Sequence, residues 1–156
     1  MNGKKRLLIV AHAPSENTRR MLAAVVSGAS SPDATEVEVV ALGPFDTQPE
    51  HVLAAHAIIL GTTENLGYMS GALKDFFDRC YYPCLDHTQG LPYAAYIRGR
   101  HDGTGTRRGI ETITTGLRWK PVQAPLICRG EWQEEFLGAC RDLGAAMAHG
   151  LSAGVC

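Results

Sequence analysis

The chain has 156 residues, of which 45% are hydrophobic and 20% are charged. This is the usual size of one domain, and its apolar content excludes an intrinsically disordered chain. Fifteen lysines and arginines against sixteen aspartates and glutamates give a net charge of −1, which excludes the strongly basic character of a general nucleic-acid or membrane-surface binder. We therefore expect one domain over residues 1–156 with small-molecule partners, no nucleic acid and no membrane insertion.

The first predicted element is a strand, and four further short apolar runs resemble it. None of the five alternates strictly between apolar and polar residues, which is typical of strands that are covered on both faces. The predicted strands are Arg6–Val10, Val37–Leu42, Ala57–Leu60, Tyr93–Ile97 and Val122–Cys128. The first run is too short for a signal peptide, and no run approaches the roughly 20 residues that span a bilayer.

Helical patterns separate most of these runs. A first helix carries Met21, Leu22, Val25 and Val26, and Gly28 with Ser30-Ser31-Pro32 should stop it. A weaker helix covers Glu50–Ala55. The clearest helix has Ser70 as its N-cap, and Pro83 should end it. Its apolar stripe consists of Leu73, Phe76, Phe77, Cys80 and Tyr81.

Two more helices complete the chain. Ile110, Ile113, Thr114 and Leu117 define the fourth, and Phe136, Cys140, Leu143 and Met147 define the last. Glu131, Glu134 and Glu135 are predicted to occupy the first turns of the last helix, where carboxylates suit the helix dipole.

The alternation of strands and helices predicts an α/β fold with a doubly wound, five-stranded parallel sheet of order 2-1-3-4-5. In such sheets ligands bind beyond the carboxyl ends of the strands, near the switch between strands 1 and 3. Functional residues are therefore expected after residues 10, 60 and 97.

The loop after strand 1 reads Ala11-His12-Ala13-Pro14-Ser15-Glu16-Asn17-Thr18. Its hydroxyls, its amide and the free N–H groups of the following helix form a suitable anion site. A second interpretation is equally consistent with this loop: Ser15 or Asn17 simply caps the helix.

The loop after strand 3 runs from Gly61 to Gly71 and is rich in glycine and polar groups. Gly67 and Gly71 permit close approaches, and Tyr68 offers a stacking face, so the loop suits a flat ring. The alternatives are that Tyr68 packs internally, that Glu64 is a solvated charge and that Ser70 is only an N-cap.

The loop after strand 4 spans residues 98–108 and holds five side chains that can be cationic. They either attract a nucleotide phosphate or form a solvated surface cluster. These side chains are Arg98, Arg100, His101, Arg107 and Arg108.

Other site classes lack their residues. A G-x-G-x-x-G and a Walker A motif are absent after strand 1, and the acidic cluster of a receiver domain is missing. The six histidines show no metal-ligand spacing. The five cysteines contain no C-x-x-C, which favours a reducing, cytoplasmic location, and Cys80 and Cys84 are expected to be buried, inert thiols.

The sequence resembles the flavodoxin-like superfamily, particularly its NAD(P)H-dependent FMN reductase and NAD(P)H:quinone reductase branch. The strongest stretch is residues 61–78, GTTENLGYMSGALKDFFD, which looks like the flavin-ring loop and the helix after it. Weaker matches are Gly103 with Gly105, and Leu143-Gly144-Ala145. Three features depart from the family: Thr63 replaces a usual proline, the T-x-T-G-x-T loop of electron-carrier flavodoxins is missing, and the near-neutral charge differs from the strongly acidic surface of those carriers.

This resemblance implies noncovalently bound FMN, with NAD(P)H as hydride donor and a quinone, a flavin or a similar molecule as acceptor. It assigns no catalytic side chain, makes Gly67 the peptide that adjusts to redox state, and allows a homo-oligomer whose neighbour completes the flavin site. The phosphate would contact Ser15, Asn17 and Thr18. The ring would contact Thr62, Thr63, Glu64, Asn65, Leu66, Gly67 and Tyr68, and the turn His101, Asp102 and Gly103. Two alternatives remain: an FMN electron carrier without NAD(P)H turnover, and a non-enzymatic interaction or sensor domain.

Overall fold

A computed structural model describes residues 3–31, 33–34 and 36–156. A short 3₁₀ turn, Pro44–Asp46, follows the second strand. The strands are β1 Lys5–Ala11, β2 Val37–Leu42, β3 Ala57–Asn65, β4 Tyr68–Met69, β5 Pro92–Gly99, β6 Lys120–Pro121 and β7 Leu126–Arg129. The helices are α1 Glu16–Ala29, α2 Pro49–Leu53, α3 Gly71–Cys84, α4 Thr104–Leu117 and α5 Glu135–Ala153.

The main sheet has the order β2-β1-β3-β5, and both β6 and β7 pair with β5 beyond it. All of these pairs are parallel, and β4 pairs antiparallel with the end of β3. The structure thus confirms the predicted α/β class and the doubly wound order.

Both faces of the sheet are buried, which gives three layers. Leu7 and Ile9 of β1 face a cluster that includes residues of α1 and α5, whereas Leu8 and Val10 face a cluster that includes residues of α3 and α4. This burial explains why the strands read as continuous apolar runs.

Helices α1 and α5 approach each other backbone to backbone. A Cβ atom built on Gly28 would lie 1.9 Å from the carbonyl oxygen of Arg141, and one built on Gly144 would lie 2.1 Å from that of Val25. Glycine at both positions therefore sets the helix separation. Gly28 lies inside α1 rather than after it.

Several boundaries differ from those predicted. The fifth predicted strand is interrupted, because residues 122–125 separate β6 from β7. Helix α3 passes Pro83 and ends one residue later, and α5 begins only at Glu135, so that Glu131 precedes it. Helix α1 ends at Ala29, while Pro32 lies outside the described residues.

Within the described ranges, no helix is both long enough and apolar enough to cross a membrane. A search of the same residues finds no group of three or more histidine, cysteine, aspartate or glutamate residues that could hold a metal ion. The thiols of Cys80 and Cys84 are buried as predicted, and this burial raises the pKa of each to about 11.

We expect Gly144→Ala to lower the free energy of unfolding by about 1–3 kcal/mol, because its new methyl group overlaps the α1 backbone. Gly138→Ala is the matched control in α5, since its Cβ would meet no atom within 4 Å, and it should stabilise by up to about 1 kcal/mol. Urea unfolding of both variants measures the difference. Equal effects would contradict the close helix contact.

Candidate functional site

The three predicted loops meet at one edge of the sheet. Strands β1, β3 and β5 are parallel neighbours, so their carboxyl ends lie side by side. The backbone N–H of His12 donates to the carbonyl oxygen of Gly61 at 3.0 Å, which joins the first loop to the second. The carboxylate of Glu64 joins the second loop to the third, as described below.

Ser15 caps α1 in a reciprocal arrangement with Thr18. The Thr18 N–H donates to Ser15 Oγ at 3.2 Å, and the Ser15 N–H donates to Thr18 Oγ1 at 2.9 Å. The hydroxyls of Ser15 and Thr18 therefore cap the helix, as the second interpretation of this loop proposes. This cap leaves the N–H groups of Glu16 and Asn17 in the first turn without an intrahelical acceptor, so this helix end can still attract an anion.

The side chain of Asn17 is oriented by Arg20. Arg20 Nη1 lies 3.4 Å from Asn17 Oδ1, so the amide NH₂ of Asn17 remains free to donate to a ligand. Arg20 is itself held by the Glu134 carboxylate, with N–O distances of 3.0 and 2.6 Å. Hydrogen bonding from Arg20, and then from Trp132, lowers the pKa of Glu134 to about 2.

Trp132 forms a cluster with Arg20 and Arg98 at this edge of the sheet. The Trp132 ring lies 5.7 Å from the guanidinium carbon of Arg20 and 5.7 Å from that of Arg98, which is within the range of cation–π attraction. Arg98 also donates to the carbonyl oxygen of Cys128 at 3.0 Å. The cluster thus links the ends of β5 and β7 to the start of α1.

The side chain of His12 contains a buried atom without a partner. Among the described residues, no group hydrogen-bonds to its Nδ1, and burial lowers the pKa of His12. Burial thus favours the neutral imidazole, which can accept or donate a hydrogen bond at this atom. Its position directly after β1 places it beside the start of α1.

The second loop is a β-hairpin rather than an irregular loop. Strand β3 continues to Asn65, and a turn of Leu66 (φ 54°) and Gly67 (φ 77°) reverses the chain into β4. Two positive φ values are typical of the tight turns that join such strands, although a leucine is unusual there. The Leu66 side chain is fully exposed.

Polar contacts stabilise the base of the hairpin. Thr62 Oγ1 donates to the Thr63 carbonyl oxygen at 2.9 Å and accepts from the Ser70 N–H at 3.0 Å. Thr63 Oγ1 contacts Asn65 Oδ1 at 2.8 Å. The Thr62 hydroxyl is thus used inside the protein, and this residue would contact a ligand through its backbone.

The hairpin lies directly against α4. A Cβ atom on Gly105 would be 1.9 Å from the Gly67 carbonyl oxygen, and one on Gly109 would be 2.4 Å from the Tyr68 ring. Only glycine permits these contacts. Tyr68 packs against Gly109 of α4, in line with the alternative that it packs internally, but 37% of its surface remains exposed.

Glu64 connects the hairpin to the third loop. Its carboxylate accepts the N–H groups of His101 and Gly103, each at 3.1 Å. Gly99 lies close beside it, where a Cβ would be 2.6 Å from Glu64 Oε1. Glu64 is therefore a structural clamp rather than a free surface charge.

The third loop also stabilises the start of α4. Asp102 Oδ1 accepts the Thr104 N–H at 3.0 Å, and this backbone hydrogen bond is the main reason that the pKa of Asp102 is lowered. Gly103 has φ 71° and packs against Ile127, while His101 is exposed.

The structure brings the predicted residues 62–68 and 101–103 together, and it places residues 15–18 at the same edge of the sheet. Sequence analysis placed His12 in the first loop without a role, and it did not identify Arg20, Trp132 or Glu134 as parts of this edge. The sequence does contain a signal for the hairpin. Leu66 and Gly67 form a two-residue connection, ending in glycine, between residues 57–65 and Tyr68-Met69. No local signal joins Glu134 to Arg20.

Fold and site together define a doubly wound α/β protein with a helix N-terminus and two clamped loops at the carboxyl edge of its sheet. This is the flavodoxin-like fold. No protein-family model matches the sequence, and a search of curated proteins finds no relative.

Solved structures are similar to the chain over most of its length. A flavodoxin from the domain Archaea is 19% identical with a TM-score of 0.76, and the match covers 92% of this chain and 96% of that one. A WrbA-like flavodoxin from Agrobacterium tumefaciens is 19% identical with a TM-score of 0.75, covering 98% and 100%. The flavodiiron protein from Giardia intestinalis is 16% identical with a TM-score of 0.79, covering 99% of this chain and 38% of that one. At these identities the likeness shows the fold.

We expect Glu64→Ala to increase hydrogen exchange at the His101 and Gly103 amides at least about tenfold, because both lose their acceptor. The free energy of unfolding should fall by about 1–3 kcal/mol. Glu131→Ala removes an exposed carboxylate with no hydrogen bond in the described chain and serves as control. Unchanged exchange in Glu64→Ala would show that the clamp is not formed in solution.

Proposed function

We propose that the protein binds FMN at this edge and passes electrons from NAD(P)H through the flavin to a quinone, a flavin or a similar acceptor. The observation that carries the proposal is the convergence of three loops: a helix start that keeps two free N–H groups and an oriented Asn17 amide, and a hairpin clamped to the third loop by Glu64. The first suits a phosphate, and the other two suit the edge of a flat ring.

The donors at this edge fit FMN. A phosphate requires hydrogen-bond donors, which the N–H groups of Glu16 and Asn17 and the Asn17 side-chain amide supply, since the Ser15 and Thr18 hydroxyls are already paired in the cap. The unpartnered Nδ1 of His12 is a further polar atom that a ligand could satisfy. The helix dipole favours the anion, and Arg20 adds a positive charge beside Asn17.

Bound FMN would supply the redox chemistry, because its ring accepts hydride and releases electrons. The chain would hold the phosphate at α1 and position the ring against residues 62–68 and 101–103. Backbone N–H groups along residues 63–68 would stabilise negative charge on the ring. Gly67 would be the peptide that adjusts with redox state, because glycine tolerates both signs of φ and a Cβ there would meet no atom within 4 Å, although its carbonyl oxygen packs against Gly105.

Two other functions stay in competition with this proposal. An electron carrier would bind FMN but would not react with NAD(P)H, and a sensor or interaction domain would not retain flavin. The near-neutral charge of the chain favours an enzyme over a carrier that recognises its partners through a strongly acidic surface. Thr63, at a position where the family usually has proline, leaves the third alternative open.

We expect the purified protein, after addition of FMN and removal of free flavin, to be yellow and to bleach when NADPH is added without oxygen. Bleaching reports transfer of hydride to bound flavin. Absorbance spectra under anaerobic conditions are the measurement. Yellow protein that does not bleach with NADPH or NADH identifies a carrier, and colourless protein identifies a non-flavin domain.

We expect Asn17→Ala to weaken FMN binding about 10- to 100-fold, because the phosphate loses a charge-assisted hydrogen bond. Riboflavin lacks the phosphate, and its affinity should change by less than about twofold. Fluorescence titration of both flavins gives the ratio of their dissociation constants.

The control for this experiment is Ser70→Ala, which removes the cap of α3 away from the proposed phosphate site. It should lower stability without changing the ratio of the two affinities. An Asn17→Ala variant that weakens FMN and riboflavin equally would refute the phosphate assignment.

A further inference from the structure

The charges of this chain are strongly segregated. Residues 98–129 contain seven arginines and lysines against two carboxylates, a formal charge of +5, whereas the rest of the chain has eight against fourteen, a charge of −6. This segregation lies along the sequence, and not all of the segment faces one way: Arg118 and Lys120 follow the end of α4, where Arg118 pairs with Asp86 at 2.6 Å. The local excess of positive charge comes from arginines near the start of α4, and a local excess of one sign guides charged partners.

Four exposed arginines of this segment lie around the start of α4 and the end of β7, and we call them the basic face: Arg100, Arg107, Arg108 and Arg129. Arg107 pairs with Glu111 at 3.0 Å. Among the residues that the structure describes, no carboxylate lies within 4 Å of the other three guanidinium groups. Their charge remains available to a partner.

Two grooves flank α4, and Arg108 lines both of them. The first, of about 410 Å³, lies between α4 and the hairpin and is lined by Tyr68, Gly105, Gly109 and Ile113 among others. The second, of about 320 Å³, lies between α4 and β7, with Arg107, Ile127 and Arg129 in its walls. The basic face thus surrounds concave surface that is partly apolar.

An exposed leucine stands beside the first groove. Leu66 forms the tip of the hairpin, and its neighbour Gly67 lines that groove. Leu66 has a positive φ of 54° and a fully exposed apolar side chain. The positive φ costs free energy in the isolated protein and the exposed side chain gains none from folding, and strained backbone positions concentrate at functional sites.

We propose that the basic face, together with Leu66 and the two grooves, docks an acidic surface of another protein. An apolar anchor surrounded by charged side chains is the usual arrangement of a transient protein interface. Carboxylates on the partner would pair with Arg100, Arg108 and Arg129, and an apolar depression would receive Leu66. The docking itself requires no flavin, whereas a redox role of the docked protein, as an electron acceptor besides a small molecule, would rest on the proposed FMN site.

The charge of the basic face also distinguishes among its candidate partners, which are a second copy of the chain, a nucleic acid and an acidic protein. A second copy that meets this face symmetrically would place like charges opposite each other, which is unfavourable. A nucleic acid would gain from the four arginines but would leave Leu66 and the apolar groove unused, and the chain as a whole carries −1. An acidic protein satisfies both the charged and the apolar parts.

The experiment is an NMR titration of the ¹⁵N-labelled full-length chain, without and with FMN, using cytochrome b5 as an acidic haem-protein probe and basic cytochrome c as control. Cytochrome b5, added to about 1 mM, should shift the amides of residues 66–68, 100–113 and 127–129. The shifts should diminish as salt rises from about 20 mM to about 300 mM, because exposed charges are screened. Cytochrome c should leave these amides unchanged.

Two double variants separate the local effect from that of net charge. Arg108→Glu with Arg129→Glu should weaken cytochrome b5 binding at least tenfold. Arg19→Glu with Arg141→Glu changes the net charge equally, to −5, on the exposed surface of α1 and α5, and should weaken binding less than twofold. Leu66→Asn relieves the leucine at positive φ, so it should keep the stability of the chain while weakening binding about threefold or more.

Several results would overturn the proposal. These are no shifts with cytochrome b5 at low salt, equal weakening by both double variants, or a dimer in sedimentation that only the Arg108/Arg129 variant abolishes. A large rise in KM for NADPH in that variant, with cytochrome b5 binding intact, would assign the arginines to the dinucleotide instead. Shifts that occur in a protein unable to bind FMN would support the docking face and reject the proposed function.

Discussion

The burial of both faces of β1, β3 and β5 is the constraint from which the rest of the structure follows. Successive side chains of a strand point to opposite faces, so Leu7 and Leu8 lie in different clusters. A slip of one residue would exchange the two sets against helices shaped for the other. The register is therefore fixed, and with it the position at which every strand ends. Because the strands are parallel, their connections leave from one edge, and three loops meet there without a direct interaction having to gather them.

This constraint places the loops, but glycines and Glu64 determine their shape. Each of Gly99, Gly105 and Gly109 lies where any larger residue would displace the hairpin. Glu64 then replaces solvent as the acceptor for two amides of the third loop. Polar groups that could bind a ligand are therefore paired within the protein. The Ser15 and Thr18 hydroxyls are likewise hydrogen-bonded to each other. What remains for a ligand is a limited set of donors: two amides of the first helical turn, Asn17 and the unpartnered atom of His12.

The sequence predicted much of the fold because the relevant signals are local. The strand runs, the Ser70 cap and the stripe of α3 depend on neighbours within a few residues, and the strand order follows from alternation and size. The contacts that shape the edge of the sheet are distant in sequence. Glu64 is 37 residues from His101, and Arg20 is 114 residues from Glu134. The sequence around one partner contains no signal for the other, so the sequence alone predicts for Glu64 only a ring contact or a solvated charge. The interruption at residues 122–125 was missed because Val122 and Leu126 are apolar enough to suggest one strand.

The position of Leu66 connects the proposed cofactor site with the proposed docking face. The strands of the hairpin and Glu64 lie against the third loop, whereas the tip of the hairpin is exposed to solvent. A single element therefore forms a wall of the proposed site and part of the outer surface. An asparagine or glycine at the tip would relax the backbone and remove an exposed apolar side chain. Selection for stability alone would favour that change. Leucine at this position is therefore best explained by a contact that the isolated chain does not make, and a protein that docks there would lie against the same hairpin that we propose as a contact of the flavin ring.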